Sequence, residues 1–138
     1  MRKISVLIAD ADHLFRFVLN DYFNKSNEMN IVAVTKSVED TLEKTLQFNP
    51  QVVLSDFSLL KDKNIIPIIK RFYPATLIGI LIPDAIKEYK EKARLLGADF
   101  TVIKDEIVPS LIPTIKSKLS NLVEKSINKK QHSKNKDK

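Results

Sequence analysis

Apolar runs rich in Val and Ile alternate along this chain with segments of helical period. SVLIA (5–9), NIVAV (30–34), QVVLS (51–55), TLIGILI (76–82) and FTVI (100–103) read as strands. Their apolarity is continuous rather than alternating, which predicts burial on both faces, as in a parallel sheet covered by helices. Residues 13–24 carry Leu14, Phe15, Val18, Leu19 and Phe23 as one stripe at three-to-four spacing. Residues 37–47 carry Val38, Leu42 and Leu46 behind Ser37, an N-cap with Asp40 three positions on. A third helix is expected at about 65–73, with Pro67 in its first turn, and a fourth from about Ala85 to a left-handed cap at Gly97. A fifth runs from about Val108 to Ile127, with Pro113 near its start. This alternation predicts an α/β fold, a flavodoxin-like (βα)5 doubly wound parallel sheet with strand order 2-1-3-4-5.

The chain has 138 residues, 43% of them apolar, enough for one core of ordinary size. One domain over 1–127, followed by a Lys-rich disordered tail over 128–138, is the expected organisation. Cysteine is absent, which removes disulfides and thiolate metal sites and fits a reducing compartment. No apolar run reaches membrane-spanning length, and Asp10 interrupts the N-terminal run before it resembles a signal peptide. A cytoplasmic protein with no membrane contact is expected. The net charge of +6 is mostly local: NKKQHSKNKDK holds five lysines against one aspartate, leaving about +2 for the rest. That tail has nothing to bury and reads as solvated, with salt-sensitive contact to phosphate or acidic partners as the sharper alternative.

In open α/β sheets the site lies at the carboxyl ends of the strands. Strand one ends at Asp10, strand three at Asp56, strand four at Ile82 and strand five at Lys104. If strands one and three are neighbours, Asp10 and Asp56 face each other. Two close carboxylates raise each other's pKa and call for a cation, and Mg²⁺ suits carboxylates, a backbone carbonyl and water. Lys104 is a point charge able to pair with Asp56 or with an added phosphoryl group. Asp12 stands directly before the first helical stripe and reads as its N-cap, with a metal-ligand role as the alternative. His13 is expected on the solvent side of the first turn, and His132 lies in the tail, so no histidine site is indicated.

VLIADADHLFR at the first strand, PQVVLSDFSLL around Asp56, LLGAD at 95–99 and VIKDE at 102–106 together resemble the response-regulator receiver domains of two-component signalling, which include chemotaxis regulators. The resemblance covers about residues 4–122. It implies that Asp56 is the phosphoacceptor, that Lys104 contacts the phosphate, and that Asp10, Asp56 and the Ser58 backbone carbonyl hold Mg²⁺. The donor would be a histidine kinase or phosphotransfer protein, and output would pass by protein–protein contact through about residues 85–120. Self-phosphorylation and autodephosphorylation would be the only enzymatic activities. The DHLFR and IKD wording is most similar to members that commonly carry a helix-turn-helix DNA-binding domain, which residues 123–138 are too short and polar to build. Homodimerisation is left open.

The departures from the family pattern bear on both metal and switch. Its second metal acid falls on Ala11, which weakens the Mg²⁺ site. The hydroxyl residue ending strand four is replaced by Ile82, and the aromatic residue that moves with it by Thr101. Pro83 stiffens the loop after Ile82, and LLKDKN replaces the usual turn after the phosphoacceptor about two residues short. A working phosphoacceptor therefore competes with a degenerate pseudo-receiver, a phosphorylation-independent protein-binding module. The remote alternative is a haloacid-dehalogenase-like phosphatase with Asp10 as nucleophile and Asp12 as general acid/base. Leu14 stands where that family's motif expects Thr or Val, and strand four supplies only Asp84 in place of an acidic pair.

Overall fold

The computed structural model describes residues 2–61 and 63–136. Strands β1 (Ile4–Ala9), β2 (Met29–Thr35), β3 (Val52–Asp56), β4 (Leu77–Ile82) and β5 (Phe100–Ile103) pair in parallel in the order 2-1-3-4-5. Every residue of β3 and β4 is buried, as their apolar runs at 52–54 and 77–82 predict, and Ser55 and Asp56 are buried with them. Helices α1 (His13–Asn24), α2 (Val38–Phe48), α3 (Phe57–Leu60), α4 (Ile66–Phe72), α5 (Lys87–Leu96) and α6 (Ile107–Lys136) cover the two faces, with a 3₁₀ turn at Lys104–Glu106. One core layer joins Ile8, Leu54, Leu81 and Phe100 to Phe23, Leu111 and Ile115. The other joins Leu7, Val53, Ile80 and Ile82 to Leu60, Ile69 and Leu96. Among the described residues no helix is long and apolar enough to cross a membrane.

Local chemistry sets most helix boundaries. Asp12 caps α1 by accepting the Leu14 N–H at 3.0 Å, and Ser37 caps α2 by accepting the Asp40 N–H at 3.1 Å. Gly97 ends α5 at φ +100°, a left-handed geometry that costs glycine nothing. Pro67 does sit in the first turn of α4.

Several sequence expectations are revised. The α1 stripe is narrower than its five apolar residues suggest: Leu19 and Phe23 are buried, whereas Leu14 is 72% exposed and Val18 49%. On α2 the fully buried residues are Thr41 and Thr45, not Leu42 or Leu46; Thr35 at the end of β2 offers a hydroxyl partner to Thr41 Oγ1 at 2.6 Å. The one-turn helix α3 was not anticipated. It ends at Leu60, and α4 begins at Ile66. The backbone of α6 continues through 128–136, where composition predicts disorder, since Lys and Gln are good helix formers and no Gly or Pro interrupts them. Residues 137 and 138 of that segment lie outside the described residues, as does Asp62 of LLKDKN.

Candidate functional site

Because Ala9 of β1 pairs with Ser55 of β3, the next residues, Asp10 and Asp56, emerge side by side at the carboxyl edge of the sheet. Strand β5 delivers Lys104 to the same edge through the 3₁₀ turn that follows it. Its ammonium lies 3.0 Å from Asp10 Oδ2 and 2.8 Å from Asp56 Oδ1, bridging both carboxylates, and 4.1 Å from the centre of the Phe15 ring. The remaining carboxylate oxygens are also engaged. Asp10 Oδ1 accepts the Asp12 N–H at 2.8 Å, and Asp56 Oδ2 accepts the Ser58 hydroxyl. Arg16 Nη1 donates to the Asp10 carbonyl at 2.6 Å and ties α1 to the end of β1.

Burial makes this small network strongly electrostatic. Asp10 is 1% exposed and Asp56 6%. Loss of hydration pushes the Asp10 carboxyl above the ordinary carboxylate value, with the Asp56 charge adding to the rise; the Asp12 N–H and Lys104 oppose it. Burial also works against the Lys104 charge. Its hydrogen bonds to Asp56 and Asp10, together with their charges, outweigh that penalty and hold the ammonium above the ordinary lysine pKa.

The network floors an open pocket of about 560 Å³. Besides the acids and Lys104, its walls include Ala11, Ser58, Lys61 and Pro83, and Phe57 meets Tyr89 edge to face at 5.0 Å. Ala11 faces the cavity without offering an oxygen. Two adjacent carboxylates at the floor of an open pocket suit a hard divalent cation that keeps several of its waters, so the donors fit Mg²⁺ as a sparse set. Among the described residues no cluster of three or more His, Cys, Asp or Glu side chains is present.

The structure thus brings Asp10, Asp56, Ser58 and Lys104 together. Asp12 lines the same pocket while its Oδ1 caps α1. Ile82 does not line it: fully buried, it pairs with Ile103 and packs into the core. Thr101 is half-buried on β5, two pairs back from the sheet edge, opposite Ile80. His13 is exposed, as expected. Sequence reasoning missed the Ser58 hydroxyl, Lys61, the Phe57–Tyr89 contact and the Arg16 bond. For Ser58 and Lys61 a signal existed, since both lie within five residues of Asp56. Tyr89 and Arg16 gave none.

No protein-family model matches the sequence. A segment of 61 residues, 44% of this chain, is 31% identical to a protein-glutamate methylesterase/protein-glutamine glutaminase of Oceanobacillus iheyensis. A segment of 59 residues, 43% of the chain, is 32% identical to a second such protein from Carboxydothermus hydrogenoformans. Each match spans 17% of the relative's own length. Similar solved structures include the signal receiver domain of the putative response regulator NarL from Mycobacterium tuberculosis, with TM-score 0.70 at 21% identity over 84% of this chain and 98% of that one. The response regulator domain of Thermotoga maritima CheB gives TM-score 0.70 at 19% identity over 86% and 98%. A LuxR-family two-component response regulator from Aurantimonas gives 0.76 at 17% identity, covering 87% of both chains. The fold is that of response-regulator receiver domains.

Proposed function

We propose that this chain is a receiver domain that accepts a phosphoryl group on Asp56 from a phosphohistidine of a kinase or phosphotransfer protein. One observation carries the reading: Asp56, Asp10 and Lys104 arrive from three different strands at one sheet edge, joined by a single bridging ammonium at the floor of a pocket. A structural ion pair needs one acid; here two buried acids share one cation beside open space.

Transfer asks little covalent chemistry of the protein, so positioning and charge stabilisation dominate. The Asp56 carboxylate is the nucleophile, and Lys104, already in contact with it, moves its charge onto the phosphoryl oxygens as they arrive. Mg²⁺, held by Asp10, Asp56 and the Ser58 carbonyl, would supply further neutralisation of those oxygens. With Ala11 in place of a third acid that site is weak. The phosphatase reading fares worse, because Asp12, its general acid/base, is engaged in capping α1.

A second reading, a phosphorylation-independent binding module, is favoured by the burial of Ile82, which leaves no hydroxyl at the end of β4. Incubation with acetyl phosphate and Mg²⁺, followed by intact mass, separates the two. A phosphoryl adduct absent from Asp56→Asn supports the phosphoacceptor; no adduct at any Mg²⁺ concentration supports the binding module. Output by contact with a partner protein through about residues 85–120, in the cytoplasm, belongs to the same proposal.

A further inference from the structure

The end of β4 offers the pocket no hydroxyl, yet the pocket has one. Ser58 is exposed on its wall and donates to Asp56 Oδ2, while Lys104 holds Oδ1. Lys61 follows three residues later, a spacing that places two side chains on the same face of a helical turn, and it lines the same pocket. On the β4 side, Ile82 is shut into the core and the rim is Pro83, which has neither a hydroxyl nor an N–H to offer.

We propose that α3 replaces β4 as the source of phosphoryl-oxygen contacts: the Ser58 hydroxyl and the Lys61 ammonium hold the group transferred to Asp56. The inference rests on the phosphoacceptor reading and adds the residues that make it work without a β4 hydroxyl. In the step itself, one Asp56 carboxylate oxygen bonds to phosphorus as the P–N bond of the phosphohistidine breaks. The electron pair leaves with the imidazole nitrogen, and the Ser58 proton is not transferred. As Asp56 becomes an acyl phosphate its carboxyl oxygens lose their negative charge, and charge collects on the phosphoryl oxygens. The hydroxyl then turns from Asp56 Oδ2 to the better acceptor by rotation about its Cα–Cβ bond. Lys61, on the wall of the same pocket as Lys104, adds a second ammonium to share the bound group's charge.

Ser58→Thr and Ser58→Val form the decisive pair, since they share shape and differ only in the hydroxyl. Each full-length variant is saturated with acetyl phosphate and Mg²⁺, and adduct formation and loss are followed by intact mass. Removing one hydrogen bond from the transition state should lower the maximal rate of formation about tenfold in Ser58→Val and leave Ser58→Thr near wild type. Adduct loss should slow in parallel, because the same oxygens carry charge in both directions. Lys61→Met should cut the rate about threefold at low salt, with the deficit vanishing at high salt, as for an exposed charge. Equal rates for Ser58→Thr and Ser58→Val overturn the inference while leaving Asp56 as phosphoacceptor. No adduct on the wild-type chain overturns both. Thermal melts of the two variants, expected to agree, exclude a folding difference; should Ser58→Val melt early, the salt-dependent deficit of Lys61→Met decides, and its absence counts against the proposal.

Discussion

Lys104 Nζ lies 2.8 Å from Asp56 Oδ1 and, through the same ammonium, holds Asp10 as well. Removing the cation leaves two buried carboxylates facing each other. Lys104→Met should therefore destabilise the chain by about 3 kcal/mol near neutral pH, the scale for breaking a buried pair. The pKa of Lys104 is raised in the folded chain, so its stabilisation is fully present below the ordinary lysine value of 10.5 and disappears as pH rises through the folded value. Denaturant titrations should show the wild-type advantage over Lys104→Met closing above that value.

Asp10 has the opposite linkage from the usual acid. Its folded pKa is raised, so the folded chain binds the proton more tightly than the unfolded one. Ionised Asp10 thus costs stability above its folded pKa, and the cost is relieved as pH falls toward the ordinary value of 3.8. Asp10→Asn removes the titration. The stability of this variant relative to wild type should be greatest near neutral pH and decline steadily on acidification; a flat difference would contradict the burial argument.

The Asp12 carboxylate caps α1. Asp12→Ala should lower stability by about 1 kcal/mol and reduce helicity by circular dichroism, with Asp12→Asn recovering most of the loss. Mg²⁺ affinity, read by titration calorimetry, should be nearly unchanged by either substitution.

Ala11 lines the pocket where a third acid would stand. Ala11→Asp should tighten Mg²⁺ binding roughly tenfold, since affinity for hard cations follows the number of charged oxygen ligands. Wild-type affinity retained in that variant would count against Asp10 and Asp56 as the metal's ligands.

At Gly79, in the middle of β4, an added Cβ would come within 2.4 Å of Phe100 Cζ and 2.9 Å of Leu54 Cδ2. A rigid ring in a filled core has nowhere to go. Gly79→Ala should cost about 1–3 kcal/mol by overpacking, measurable as a lowered melting temperature, and Gly79→Ala combined with Phe100→Leu should recover part of it.

All five strands were legible because their apolar runs are unbroken and bounded by polar turns, and α1 was legible because Asp12 caps it just before the stripe. The acids and the lysine were legible for a related reason: in a parallel sheet the residue after each strand lands at the same edge. What pattern alone misplaced were the faces. Leu14 and Val18 belong to the same apolar stripe as Leu19 but look outward, while Thr41 is polar by type yet buried against the threonine that ends β2.

The sequence by itself determined the layered α/β architecture and the strand-end identity of Asp10, Asp56 and Lys104. Those follow from local period and chain order, which need no knowledge of distant contacts. Only the tertiary structure decided that one ammonium bridges both acids, that Ile82 is shut into the core, and that Ser58 turns its hydroxyl onto Asp56. Side-chain direction at a strand end depends on the register of neighbouring strands and on the turn that follows, and residues 10, 56, 58 and 104 come together only once the sheet has closed that edge.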